Sequence, residues 1–397
     1  MAEGPHIYMD NHATTRCDPR VVEAMLPYLT EQYANAGSSN HVLGRESGAA
    51  VERARESIAA AIGASPDEVL FTSGATESNN LALRGVMQHP RRRGSRLVGV
   101  ATEHDAVLEP LRDLAKGGEQ THLLGVRPHG DAEAGRIDLD ELREAVTNDA
   151  ALVSVMLANN EIGTIQPLRE IAALCREAGV LLHTDATQAV GKIPVDVREL
   201  GVDLLSFSGH KLYGPRGIGV LYVRGGSPRV RLRPQITGGG QQQGRRSGTL
   251  NTPAIVGLAK AVELCLAEQA EEALRIAGMR DSLWSALQAR IPGVELCGPA
   301  LELGNTRRLP GNLYALVRGV DSESLLLKTE RLAASSGATC ASSHEGPSHV
   351  LLALGLPEDR ARGGLRFGLG RFNTEAEVPA AADEVAAALA ALGRDSA

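Results

Sequence analysis

The chain has 397 residues, enough for a large α/β body with a smaller appendage or for two to three folding units. Hydrophobic residues make up 43% and charged residues 22%, a balance that can bury a sizeable core, and every charge-free stretch stops short of the ~18 apolar residues of a membrane span. A formal net charge of −7 and 3% aromatic residues argue against direct nucleic-acid binding, the short arginine run at 91–93 being read as a solvated loop.

The N-terminus lacks both the basic-then-apolar layout of a signal peptide and the Arg-rich amphipathicity of a transit peptide. Five cysteines (Cys17, Cys175, Cys265, Cys297 and Cys340) are scattered without a C-x-x-C pair, which fits neither a disulfide framework nor a zinc knuckle. No metal site is expected, and a reducing cytoplasm is the expected home.

In chain order, strand-length apolar runs are predicted at 69–72, 96–101, 122–126, 152–157, 180–183, 204–207 and 219–223. Helical periods fall between them at 79–88, 106–116, 138–146 and 168–177. That alternation predicts a mainly parallel sheet with helices on both faces. Residues 225–248, rich in Gly, Gln and Arg, cannot supply a core. A long helix over about 253–290 follows. Short strands near 294–296, 312–317, 332–336 and 365–369 and helices at 321–330 and 374–393 complete a smaller α+β unit. The expected division is a large domain over 16–257 and a small domain formed by 1–15 and 258–397.

Three segments carry chemistry. In VLFTSGATESNN (69–80) a strand meets a small-residue turn and then a helix, so free N–H groups and the Thr76 hydroxyl form a phosphate cradle. A plain Ser/Thr N-cap is the alternative reading of this stretch. In VLLHTDATQ (180–188) Asp185 ends a buried strand, at the edge where α/β proteins bind ligands; it also reads as a helix N-cap. In VDLLSFSGHKLYG (202–214) Lys211 follows a buried strand, a poor place for a solvated charge and a good one for bonding a carbonyl. A cradle, an acid and a strand-end lysine together are the parts that a pyridoxal-phosphate site requires.

From YMDNHATT (8–15) to RFGLGRF (366–372) the sequence resembles the cysteine desulfurases of the NifS/IscS type, in the class V aminotransferase family of pyridoxal-phosphate enzymes. Matching motifs include TSGATESNN (72–80), ATEHDAVL (101–108), NNEIGTIQP (159–167), HTDATQ (183–188), SFSGHKLYGPRGIG (206–219), RRSGT (245–249) and SSGATC (335–340). The resemblance implies pyridoxal-phosphate fold type I and bound pyridoxal 5'-phosphate. Lys211 would bond its aldehyde, Asp185 its ring nitrogen and Gln188 its phenolate oxygen, with Asn160 close by. Ala75, Thr76, Ser208, Gly209 and His210 would hold the phosphate. His104 would stack on the ring and help move the substrate thiol proton. Arg366 would grip the substrate carboxylate, with Asn160 and Asn35 as further substrate contacts; pairing of Arg366 with an internal acid is its alternative. Thr249 would reach across a homodimer to the neighbour's phosphate, which gives the coreless arm a purpose.

Cys340 sits among small polar residues, the composition of an exposed loop, where a thiol can meet the substrate sulfur and then deliver it. The other four cysteines read as small hydrophobes. The implied activity is conversion of L-cysteine to L-alanine, with a Cys340 persulfide passed to a protein sulfur acceptor such as a scaffold or carrier. A selenocysteine lyase or another β-eliminating class V enzyme is the alternative. A catalytically idle partner protein that merely binds pyridoxal phosphate or a scaffold is a third reading, opposed by the presence of Lys211, Asp185, His104 and Cys340 together. His12 departs from the pattern, standing where the family more often has asparagine.

Overall fold

The computed structural model describes residues 6–146, 149–226, 229–301, 307–337 and 346–395. In chain order the strands are β1 (Ile7–Tyr8), β2 (Val69–Thr72), β3 (Arg96–Val100), β4 (Gln120–Leu124), β5 (Ala150–Ser154), β6 (Leu181–Asp185), β7 (Leu204–Ser208), β8 (Gly219–Val223), β9 (Glu295–Leu296), β10 (Asn312–Leu316), β11 (Leu332–Ala333) and β12 (Gly364–Gly368). Seven form one sheet, ordered β2-β8-β7-β6-β5-β3-β4. The pairs β4–β3, β3–β5, β5–β6 and β6–β7 are parallel, and β8 runs antiparallel to both its neighbours. Every strand of the sheet except β8 therefore points the same way. Their carboxyl ends share one edge, where open α/β sheets bind ligands.

Side chains of β5, β7 and β8 are buried throughout, as expected of strands covered on both faces. The one imidazole in β6, His183, is accommodated by serines on the flanking strands: its Nδ1 lies 2.8 Å from Ser154 Oγ and its Nε2 3.0 Å from Ser206 Oγ. β2 is an edge strand whose outer side is closed by a side chain. The Phe71 N–H donates to Gln242 Oε1 and Gln242 Nε2 donates to the Phe71 carbonyl, both at 2.8 Å, so one amide replaces a missing strand.

A three-stranded antiparallel sheet, β12-β10-β9, supports the second core, and β1 pairs with β11. The helix Thr252–Arg290 serves both cores. Residues from Ala254 to Cys265 pack into the core of the large sheet, and Ile276, Met279, Leu283 and Leu287 pack against the small one. Among the described residues no helix is long and apolar enough to cross a membrane.

The structure adds to and shifts some of the expected elements. Helices Pro19–Met25 and Val42–Ala61 were not anticipated. The second buries a face of Gly44, Ser47, Ala50, Val51, Ala54 and Ile58 against the long helix, and a face built so largely of small residues gives little hydropathic contrast. β4 begins at Gln120, two residues before the apolar run, because an edge strand tolerates exposed polar positions. β5 ends at Ser154, yet Val155, Met156, Leu157 and Ala158 stay buried as the chain turns into the site described next.

Candidate active site

A cavity of about 460 Å³ opens at the carboxyl edge of the large sheet. Five strands of that sheet feed it. After β2 comes the turn Ser73–Gly74 and the helix Ala75–Met87. Gly74 has φ +154°, a backbone that a side chain would strain, and it offers no side-chain cap. Gly219 on β8 lets that turn approach, since a Cβ there would lie 2.6 Å from Gly74 backbone atoms. The first helical N–H groups, which have no intrahelical acceptors, thus meet the cavity together with Thr76. Glu77 braces the turn, accepting from the Ser73 N–H at 2.8 Å and from Arg246 Nε at 2.8 Å and Nη2 at 3.0 Å.

Past β3, His104 caps the helix Asp105–Lys116 by accepting the Ala106 N–H on Nδ1 at 3.0 Å. Enclosure by protein lowers its pKa, opposed by Asp185 and aided by Lys211. The ring keeps accessible area because it opens onto the cavity. A neutral imidazole whose Nδ1 accepts carries its proton on Nε2. Beneath it, buried Glu103 accepts the Met156 N–H on Oε1 at 2.6 Å, and burial raises its carboxyl well above the usual range.

Past β5, Asn159 folds a tight turn, accepting the N–H groups of Glu161 and Ile162 on Oδ1 and donating to the Thr102 carbonyl. That turn puts Asn160 on the cavity wall. Asp185, ending β6, is 5% exposed. Its Oδ2 accepts from Asn79 Nδ2 at 2.7 Å and its Oδ1 from the Thr187 N–H at 2.9 Å.

Ser208 ends β7, and the short turn Gly209–Lys211 that follows brings His210 and Lys211 to the cavity, with Gly209 buried in the turn itself. Lys211 Nζ donates to the carbonyls of His12 at 2.6 Å and Ala13 at 2.5 Å. His210 Nδ1 lies 3.2 Å from Thr14 Oγ1; burial, with repulsion from Lys211 and Arg216, pushes its pKa down to about 4. Arg366 on β12 is 1% exposed; it pairs with Asp10 at 2.9 Å and donates to the Asn160 carbonyl at 3.1 Å, leaving Nε without a partner. Arg366 thus lines the cavity and is paired with an internal acid.

Ala75, Thr76, His104, Asn160, Asp185, Gln188, Ser208, His210, Lys211 and Arg366 all line this one cavity. Asn35 and Thr249 do not. Asn35 is exposed and accepts the Gly37 N–H, and Thr249 is exposed on the arm. Cys340 lies outside the described residues. Burial raises the thiol pKa of the other four cysteines: Cys175, Cys265 and Cys297 are pushed up to about 12, and Cys17 rises in the same direction. Sequence reasoning missed the supporting partners Asn79, Asn159 and Asp10, although all three stand inside the family motifs TSGATESNN, NNEIGTIQP and YMDNHATT.

An uncapped helix N-terminus and several cationic groups suit a phosphate and a carboxylate, a buried acid suits a protonated ring nitrogen, and a lysine stands among them. These residues fit pyridoxal phosphate. Residues 7–380 match the family described as Aminotransferase class-V. The chain is 48% identical over 372 residues to a cysteine desulfurase IscS of Anaeromyxobacter dehalogenans, covering 94% of this chain and 89% of the relative. Among solved structures it is similar to a NifS-like protein (TM-score 0.86, 36% identity, 97% of this chain and 99% of the other). It is also similar to one described as SspA in complex with cysteine (TM-score 0.78, 32% identity, 92% and 99%). With the match spanning nearly its whole length, the chain belongs to the class V aminotransferase family.

Proposed function

We propose that this chain is a pyridoxal-phosphate-dependent L-cysteine desulfurase that moves sulfur from L-cysteine onto Cys340 and releases L-alanine. The observation that carries the reading is the meeting of the Ala75–Thr76 helix N-terminus, Asp185, Lys211 and Arg366 around one cavity. The family supports the cofactor, and relatives named cysteine desulfurase support the substrate.

Bound here, pyridoxal phosphate supplies an electron-withdrawing ring that acidifies the substrate Cα–H. The chain's own residues do the rest. The N–H groups of Ala75 and Thr76, the Thr76 hydroxyl, Ser208, Gly209 and His210 hold the phosphate. Asp185 keeps a proton on the ring nitrogen, and Gln188 contacts the phenolate oxygen. Arg366 binds the α-carboxylate through its two-pronged guanidinium, with Asn160 and Asn35 as further contacts. The Lys211 amine, once free, takes the Cα proton and later returns it, while His104 serves the substrate thiol through its Nε2 proton.

Cys340 is the proposed nucleophile, since the other four thiols are held protonated by burial. Its Sγ bonds to the substrate sulfur as the substrate C–S bond breaks. The electron pair of that bond stays with carbon, which takes up a proton; the products are alanine and a Cys340 persulfide. In this reading Thr249 completes the phosphate site of a partner subunit in a homodimer, and the persulfide passes to a protein acceptor. Residues 258–397 with 1–15 form the smaller domain, which carries Cys340.

Borohydride reduction of the holoenzyme followed by peptide mapping tests the site. The pyridoxyl group is expected on Lys211 and is lost in Lys211→Ala. A label on any other lysine overturns the reading.

A further inference from the structure

A second lysine stands behind the cavity wall. Lys192 lies on the loop that follows β6, and its Nζ donates to Gln188 Oε1 at 2.6 Å. The same oxygen lies 3.1 Å from His12 Nδ1, and Gln188 Nε2 donates to the His12 carbonyl at 2.8 Å. That carbonyl also accepts from Lys211. The two lysines are therefore joined through one amide and one carbonyl. Lys192 does not line the main cavity; it lines a cleft of about 30 Å³ on the far side of His12.

Donor chemistry fixes the orientation of that amide. An ammonium only donates and a carbonyl only accepts, so the atom facing Lys192 is the amide oxygen and the atom facing His12 O is the NH₂. With Oε1 already receiving the ammonium, His12 Nδ1 must donate to it as well. A flipped amide would set donor against donor at one end and acceptor against acceptor at the other. The NH₂ group has one further hydrogen, and Gln188 lines the main cavity.

We propose that Lys192 is a positioning residue of the site: its ammonium locks the Gln188 amide so that the NH₂ group is the one offered to an oxyanion in the cavity, and adds positive charge behind it. The proposal rests on reading this cavity as the pyridoxal-phosphate site, where that oxyanion is the phenolate oxygen. Burial and the repulsion of Lys211 and Arg366 push Lys192 down to about 7, with Cys265 acting the other way. Glu272, the acid on the long helix that lines the same cleft, is engaged by Arg371. The oxyanion beyond Gln188 is the charge that would hold the proton on Lys192.

The test titrates the visible band of the lysine-bound cofactor in holoenzyme variants. The protonated chromophore carries a positive charge on nitrogen, so loss of a nearby cation favours it. Lys192→Met should raise the pKa of the band by about one pH unit and weaken cofactor retention in dialysis. Lys192→Arg, which keeps donor and charge, should restore the wild-type titration. If Lys192→Met fails to fold, Lys192→Gln, which removes the charge, should show the same rise. An unchanged chromophore pKa in a folded Met or Gln variant overturns the role of Lys192 and leaves the cofactor site standing. A visible band that survives Lys211→Ala overturns the site itself.

Discussion

Asn79 Nδ2 donates to Asp185 Oδ2 at 2.7 Å, linking the helix whose N-terminus faces the cavity to the acid at the end of β6. The proposed phosphate cradle and the proposed ring-nitrogen partner are thus joined by one buried hydrogen bond. Asn79 is fully buried, so its amide has no water to turn to.

The first prediction follows from that pair. Asn79→Ala removes one hydrogen bond to a charged group, about 1.5–3 kcal/mol, and should slow Cα-hydrogen exchange of bound substrate with heavy water roughly 10- to 100-fold. Asp185→Ala should slow it further while the cofactor still bonds Lys211. Exchange at the wild-type rate in Asp185→Ala contradicts the role given to the acid.

A second prediction concerns the arm. Arg246 clamps Glu77 at the cradle with two hydrogen bonds, while Thr249, three residues on, faces outward. If Thr249 completes a partner's phosphate site, mixing Thr249→Ala with Lys211→Ala subunits should restore activity, because one site of the heterodimer contains neither lesion. Proven subunit exchange without recovery contradicts a shared site.

The third is a pH dependence of stability. Burial pushes both His183 and His210 down to about 4, against about 6.5 in an unfolded chain. Between those values the unfolded chain binds protons that the native one refuses, so stability is full above about 6.5 and falls as pH drops toward 4. Urea midpoints should therefore decline over pH 6.5–5, and His183→Gln should flatten the decline. An equal slope in both proteins contradicts a neutral His183.

Much of this was legible in the sequence because chemistry and strand ends coincide. Asp185 and Lys211 follow runs of buried residues, and the structure brings them to one edge because all strands of the sheet but β8 run in parallel. Long-range partners were not legible. Asp10 and Arg366 are 356 residues apart and Asn79 and Asp185 are 106 apart, and no local pattern announces such pairs. The helix Val42–Ala61 escaped because its buried face is made largely of small residues. Gln242 looked like part of a coreless loop, and only its two bonds to Phe71 explain its place on the edge of β2.

Sulfur transfer to Cys340 is the claim on which the rest depends, and mass spectrometry after one turnover with L-cysteine, without reductant, tests it most directly. The peptide containing Cys340 should gain one sulfur atom, with alanine released in equal amount, and the peptides of Cys17, Cys175, Cys265 and Cys297 should gain none. Cys340→Ser should still bind cofactor and exchange the Cα hydrogen, because sulfur transfer is the step that needs a thiolate, and a hydroxyl near neutral pH cannot replace it. Alanine released from L-cysteine by Cys340→Ser at the wild-type rate, or the extra sulfur found on another cysteine, would contradict the account.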